Sequence, residues 1–479
     1  MNTVDPSGAP TRAVWDGPQV LRSKTALALV CFWALLALVL LVPGPLRDRV
    51  RAGEEDRPTG RAPGLPAAPP APAASEPAAG AGKRPGKAGL VGLPRVLGEL
   101  ELEAIQDPKG SMTHFYRALA RTEKGEKGAF ARVLHYGDSL IDLDFITAPV
   151  RRALQKRFGD AGHGFVLAAK PWRWYNHMDV SLTTSDGWEH FRLVGRRAGD
   201  GHLGLGCAAI QSQRSRAWTK ISAREKASRV EVHFLRMPGG GTLLVEVDGK
   251  RRAELATAAG SKQPGFHLLE LEDKPHEIRL EARGKVRLFG VVLERGERGV
   301  TWENLALVSA RFNQFIQLDA QHWSAQLKHR APDLVVFQFG ANDSISFGGD
   351  LERYGRQVLR ALELVRRAVP RSSCMVIGPL DRLQRDGQGR LRSPKVVRVV
   401  SGKQREVAIA AGCAFWDAQL AMGGPGSMQR WLRGNYVLKD LVHLNVRGSD
   451  VMGSILEQSL LLRLPKPLRG TPEGHTLGR

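Results

Sequence analysis

Three short, widely separated segments carry residue types that could together do acyl-transfer chemistry. Gly137-Asp138-Ser139-Leu140 follows the apolar stretch ARVLHY (131–136) and precedes FITAPVRRALQKRF (145–158), whose apolar spacing suits a helix. A serine on a strand–turn–helix junction has its hydroxyl held at the carboxyl edge of a sheet and its N–H near a helix amino terminus, as a displayed nucleophile requires. Serine alone is a weak nucleophile and needs a base, usually histidine, whose orientation a carboxylate fixes. Asp440 and His443, in Asp440-Leu441-Val442-His443, offer both. The oxyanion formed on attack needs hydrogen-bond donors. Asn342, in Gly340-Ala341-Asn342-Asp343 directly after Pro332–Phe339, is placed to give a side-chain amide.

The elements that must hold these groups read as an α/β domain interrupted by a β domain. DLVVFQF (333–339) is a continuous apolar run of the kind found in a parallel strand buried on both faces. A helix is expected over Leu351–Ala368, further strands at CMVIG (Cys374–Gly378) and AFWDA (Ala414–Ala418), with a helix between them. Strands alternating with helices imply a parallel, doubly wound sheet with functional residues at the carboxyl ends of its strands. Between about 165 and 295 the pattern changes to alternating stretches such as SRVEVHFLRM, GTLLVEVDGKRRAEL, HEIRLEARG and KVRLFGVVLER, with Asp248-Gly249 as a hairpin signal. These predict an antiparallel β-sandwich inserted into the α/β domain.

A chosen tetrapeptide such as GDSL arises by chance in roughly one chain in a hundred of this length, so the weight rests on the ordered set. That set resembles the SGNH/GDSL hydrolase superfamily, a flavodoxin-like three-layer α/β fold of esterases, lipases and acetyl transferases. The resemblance implies Ser139 as nucleophile, Asp440 and His443 as the rest of the triad, and Asn342 as an oxyanion-hole donor beside the N–H of Ser139. The family's remaining motif is a glycine after the second strand whose N–H completes that hole. The segment TWENLALVSARF (301–312) resembles this block, with Ser309 where glycine is usual. HYGDSL followed by RFGDAGHGF, WDAQLAMGGPGSM (Trp416–Met428) and the β insertion together resemble enzymes that act on O-acetyl groups of peptidoglycan or related polysaccharides, in which the insertion resembles a carbohydrate-binding module. The implied reaction needs no metal or organic cofactor. An O-acetyltransferase on the same triad and a non-catalytic polysaccharide-binding envelope protein are the alternatives.

Other conspicuous residues have two readings each. Trp172, Arg173, Trp174 and Tyr175, in PWRWYN, could form a sugar-stacking platform, or could be aromatic anchors that dock the insertion. His163, His177 and His190 lie at no metal-ligand spacing and read as ordinary histidines.

Composition sets the context. The chain has 479 residues, 42% apolar and 25% charged, enough for two or three domains and a real core. Its formal charge is +22, of which little lies in residues 1–90 with their 11 basic and 7 acidic side chains, so the folded part should attract polyanions. Nucleic acid is excluded as the partner for want of an aromatic-basic motif. Four cysteines (Cys31, Cys207, Cys374, Cys413) stand far apart, without zinc-site spacing and too few for a dense disulfide framework.

The eighteen uncharged residues 25–42, TALALVCFWALLALVLLV, are long enough to cross a bilayer and read as an uncleaved signal anchor. The expected organisation is therefore a cytoplasmic N-terminus (1–24), a transmembrane anchor (25–42), a Pro/Ala/Gly-rich linker (43–90), the hydrolase domain in two parts (91–164 and 299–464) around an inserted β-sandwich (165–298), and a disordered tail (465–479). A cell-wall substrate would place the catalytic domain on the periplasmic or outer side of a bacterial cytoplasmic membrane.

Overall fold

Short apolar strands and amphipathic helices alternate at both ends of the folded chain, and a long run of alternating strands separates them. The computed structural model describes residues 94–464 apart from 99, 214–215 and 297. The anchor (25–42), linker (43–90) and tail (465–479) read from the sequence lie outside these residues. Among the described residues no helix is long and apolar enough to cross a membrane.

The first part holds helix α1 (Thr113–Glu123), strand β1 (Phe130–Gly137), a 3-10 segment (Ser139–Asp144) and α2 (Thr147–Phe158). There follow β2 (Gly164–Leu167), β3 (Val180–Thr184), β4 (Glu189–Arg192), β5 (Ala208–Ser212), β6 (Ala217–Ala223), β7 (Ala227–Arg236), β8 (Thr242–Val247), β9 (Lys250–Ala256), β10 (Gln263–Lys274), β11 (Glu277–Arg283) and β12 (Val286–Glu294). The α/β pattern resumes with β13 (Gly299–Ala306), α3 (Ala320–Arg330), β14 (Leu334–Gln338), α4 (Ala341–Ile345), α5 (Leu351–Ala368) and β15 (Ser373–Ile377). A small hairpin, β16 (Gln384–Arg385) and β17 (Leu391–Arg392), precedes α6 (Lys395–Ala410), β18 (Ala414–Trp416), α7 (Ala418–Ala421), α8 (Ser427–Arg433) and α9 (Val446–Leu462).

The α/β strands form one parallel sheet in the order β13-β1-β14-β15-β18. Counted within this domain alone, the order is second-first-third-fourth-fifth, the flavodoxin-like arrangement. Helices cover both faces, which is why β14 and β15 are buried along their whole length. Val133, Val336 and Met375 face Phe115 of α1, Val150 of α2 and Val451 of α9 in one apolar cluster. Leu134, Val335 and Phe337, which alternate with them, share the other cluster with Trp323 of α3, Val358 of α5 and Val400 of α6. Helix α5 shows the local logic: Asp350 caps its first turn by accepting the Arg353 N–H at 2.8 Å, and Val358, Ala361, Leu362 and Val365 give it a single buried stripe.

The strands between β1 and β13 form two antiparallel sheets. One runs β10-β7-β12-β5-β4 with β2 added on β12; the other runs β3-β6-β11-β8-β9. Val230, Val232 and Leu288 of the first and Ile221, Leu243 and Leu280 of the second belong to one buried cluster, so the sheets share a core. Asp248 (φ 52°) and Gly249 (φ 72°) turn β8 into β9, both left-handed as a two-residue hairpin turn requires.

Cys374, at the start of β15, and Cys413, just before β18, form a disulfide across these neighbouring parallel strands. Cys207 is a buried free thiol.

Candidate active site

The nucleophile turn, the Asn342 turn and the Asp440–His443 turn meet at the carboxyl edge of the parallel sheet. β1 ends at Gly137 and the Asp138 N–H donates to the Gln338 carbonyl at the end of β14 (3.1 Å), which brings Ser139 beside the entry to α4. The Asp138 carboxylate accepts the Leu140 N–H at 3.0 Å and so closes the turn that displays Ser139. Burial pushes the Asp138 carboxyl up to about 7, with the neighbouring Asp343 carboxylate adding to the shift against the Leu140, Ala341 and Asn342 N–H groups.

His443 Nε2 lies 2.8 Å from Ser139 Oγ, and its Nδ1 lies 2.8 Å from Asp440 Oδ2. The other oxygen of Asp440 accepts the Val442 and His443 N–H groups, each at 2.9 Å, so the carboxylate shapes its own turn as well as aiming the ring. Burial alone would raise the Asp440 carboxyl, but these two N–H groups and the His443 ring outweigh it and hold it below the usual range. The turn is tied to the rest of the fold by the Leu383 N–H donating to the Leu441 carbonyl (2.9 Å) and the Leu438 N–H donating to that of His443 (2.8 Å).

Ser309 follows β13 in a tight turn closed by the Ala310 N–H on the Leu307 carbonyl (2.9 Å), with φ at +64°. This left-handed backbone explains why glycine suits the position, and serine occupies it at some conformational cost. Asn342 Nδ2 donates to the Ala310 carbonyl at 3.2 Å, so the amide and the Ser309 turn are joined side by side. Among the described residues no backbone or side-chain acceptor takes the N–H of Ser139 or of Ser309.

A buried polar cluster that sequence reasoning missed holds the nucleophile segment from below. Asp144, fully buried, pairs with Arg151 at 2.8 Å and accepts the Met178 N–H at 3.1 Å and the Thr147 hydroxyl. Asn304 of β13 donates to the Ile141 carbonyl and to Thr147 Oγ1, both at 2.7 Å. Burial would raise the Asp144 carboxyl, but the Arg151 guanidinium overrides it and keeps the group ionised well below the usual range. These residue types are ordinary in sequence, and nothing in their spacing marks them.

The PWRWYN segment divides. Trp172 and Trp174 line a cavity of about 260 Å³ together with Arg192, Cys207, Leu307 and Ser309. Trp174 is 59% exposed and its Nε1 donates to Asp142 Oδ2 at 2.9 Å, linking the insertion to the nucleophile segment. Tyr175 is only 2% exposed and packs edge-on against Trp172 at 5.6 Å. It is an anchor and not a platform residue, because the turn sends its ring into the core; Arg173 is exposed and does not line the cavity. His163 bonds Glu225 (2.6 Å) and His177 bonds His163 (3.3 Å), both in structural contacts, while His190 lies half-buried on β4. A different group, Glu231 and His233 of β7 and His329 of α3, brings three possible metal ligands within 4.8 Å of one another.

A flavodoxin-like parallel sheet with a hydrogen-bonded Ser-His-Asp set at its carboxyl edge is the arrangement of a serine esterase. Residues 279–451 match the model of the GDSL-like lipase/acylhydrolase family, a span that takes in Ser309, Asn342, Asp440 and His443. No curated protein sequence matches the chain. Among solved structures, a peptidoglycan O-acetylesterase aligns with a TM-score of 0.64 at 24% identity, covering 75% of this chain and 99% of its own. An active-site mutant of a family two carbohydrate esterase from Clostridium thermocellum aligns at 10% identity over 58% of this chain and 98% of its own, with a TM-score of 0.27. A family two carbohydrate esterase from Cellvibrio japonicus aligns at 10% identity over 59% and 97%, with a TM-score of 0.25.

Proposed function

We propose that this protein removes O-acetyl groups from peptidoglycan or a related envelope polysaccharide through an acetyl-serine intermediate. The observation that carries the reading is His443 lying at 2.8 Å from both Ser139 Oγ and Asp440 Oδ2. His443 Nε2 takes the hydroxyl proton as Oγ attacks the acetyl carbonyl, and Asp440 stabilises the resulting imidazolium. The oxyanion is received by the N–H groups of Ser139 and Ser309 and by the Asn342 amide. Collapse breaks the bond to the sugar oxygen, which takes the proton from His443 and leaves Ser139 acetylated. Water, giving its proton to His443, then attacks the acyl carbon, and acetate departs as Ser139 is restored.

The substrate class is supported by the fold-level neighbour, itself a peptidoglycan O-acetylesterase, and by the cavity that Trp172 and Trp174 form beside Ser309, since pyranose faces pack on aromatic rings. The basic balance of the chain favours an anionic polymer. For location, we propose that residues 25–42 anchor the chain and that the catalytic domain stands outside the cytoplasm. The Cys374–Cys413 disulfide supports this, because such bonds persist in oxidising compartments.

The test is acetate release from O-acetylated peptidoglycan by the purified chain, with acetylated xylan as a parallel substrate and a deacetylated glycan as added acceptor. Release from peptidoglycan that Ser139→Ala abolishes is expected. Turnover confined to xylan would overturn the substrate class, and new O-acetyl on the acceptor would make the enzyme a transferase.

A further inference from the structure

Glu231 and His233 stand two residues apart on β7 and therefore share a face of the strand. Across from them, at the end of α3, stands His329. His233 Nε2 is 2.8 Å from one Glu231 oxygen, and His329 Nε2 is 3.0 Å from both. The three side chains come from two domains and point their ligand atoms at one another. From this convergence we infer that Glu231, His233 and His329 form a binding site for a transition-metal dication of the zinc type, which clamps the inserted β domain to the α/β domain.

Two imidazoles and one carboxylate suit Zn²⁺ and its neighbours rather than Mg²⁺ or Ca²⁺, which take oxygen ligands. The rings are held in place before any ion arrives. Phe266, the cross-strand partner of His233, stacks flat on His329 at 3.5 Å between centroids and meets His233 edge-on at 4.8 Å. A cavity of about 160 Å³ opens beside Glu231 and His329 and leaves room for a water as fourth ligand. The charges around it largely cancel, since Arg330 pairs with Glu294 and Glu303, at 2.7 and 2.5 Å, and Arg132 pairs with Glu294 at 2.8 Å.

On binding, the ring proton of each histidine sits on Nδ1 and the Nε2 lone pair faces the ion, with no change of oxidation state. His233 Nδ1 is buried without a partner, and Arg229 adds a positive charge to the cavity wall. Both lower the affinity relative to a closed structural zinc site.

The role is structural. Arg132, beside the cluster, lies near the start of β1, whereas Ser139 follows its end, a separation of about 20 Å at the rise of a strand.

The test is equilibrium dialysis of the full chain against zinc chloride with elemental analysis, repeated with cobalt chloride to read the visible bands of tetrahedral Co²⁺. About one ion per chain is expected, bound at least roughly tenfold more weakly by His329→Gln, whose hydrolysis of an aryl acetate should equal that of the unsubstituted chain. Should that activity be lost, Glu231→Gln serves as the second variant. Absence of zinc binding at micromolar concentrations, or binding that neither substitution weakens, would overturn the assignment.

Discussion

His443 Nε2 stands 2.8 Å from Ser139 Oγ although 304 positions separate the two residues in the chain. The contact exists because β1 lies inside the parallel sheet, beside β14, and the turn that carries His443 is bound through Leu441 to the backbone of Leu383, after β15. The ring is aimed by Asp440, whose carboxylate is nearly half exposed. Asp440→Asn should therefore lower kcat on an aryl acetate by roughly 10²–10⁴-fold, toward the smaller figure because water can replace part of the lost charge. KM should change little, and a loss under about threefold would show that Asp440 does not orient the base.

The left-handed backbone at Ser309 gives a prediction of opposite sign. Ser309→Gly keeps the N–H and relieves the strained φ of +64°, so stability should rise by a few tenths to about 1 kcal/mol with kcat retained. Ser309→Pro removes the donor and cannot adopt that backbone, and kcat should fall by roughly 10²-fold or more. Urea denaturation and initial rates measure both. An unchanged kcat in the proline variant would remove Ser309 from the oxyanion hole.

Much of this arrangement was legible in the sequence and some of it was not, for definite reasons. Ser139, Asn342, Asp440 and His443 each sit in a short motif, and the order of these motifs along the chain marks them as a set. The parallel sheet was legible for the same reason, since β14 and β15 are uninterrupted apolar runs. Asp144, Arg151 and Asn304 were not, because their meaning lies in pairings across α2 and β13 that only the folded chain creates. The Cys374–Cys413 bond depends on β15 and β18 being neighbours, which cysteine spacing does not reveal. Tyr175 differs from Trp174 only in which way a turn points it.

Trp174 combines two contacts that substitution can separate. Its ring borders the cavity, and its Nε1 donates to Asp142. Trp174→Ala should raise KM for O-acetylated polymer several-fold while leaving kcat/KM for a small aryl acetate within about twofold. Trp174→Phe, which keeps an aromatic face, should restore most of the polymer KM. Equal losses on both substrates in the alanine variant would assign Trp174 to support of the nucleophile segment instead.

Glu457 on α9 provides a pH test away from the site. Burial pushes its carboxyl up to about 7, with Arg157 pulling weakly the other way. The unfolded chain releases this proton near the ordinary glutamate value while the folded chain retains it to about 7, so the associated stability is full below the unfolded value and is lost as pH rises through the folded one. Glu457→Gln cannot ionise and escapes the loss. The variant should gain roughly 2 kcal/mol on the unsubstituted chain between pH 5 and pH 8 in denaturant titrations. A difference that is flat across that interval would contradict the shift.

The central claim is that Ser139 carries the acetyl group between the two halves of the reaction. Rapid acid quench of the chain during turnover of an aryl acetate, followed by peptide mass analysis, reads this directly. The account predicts one added acetyl group on the peptide that contains Ser139, accumulating most where His443 is replaced by alanine and attack is driven by a reactive ester, and absent in Ser139→Ala. Turnover with no acetyl on that peptide, or acetylation that persists elsewhere in Ser139→Ala at an undiminished rate, would contradict it.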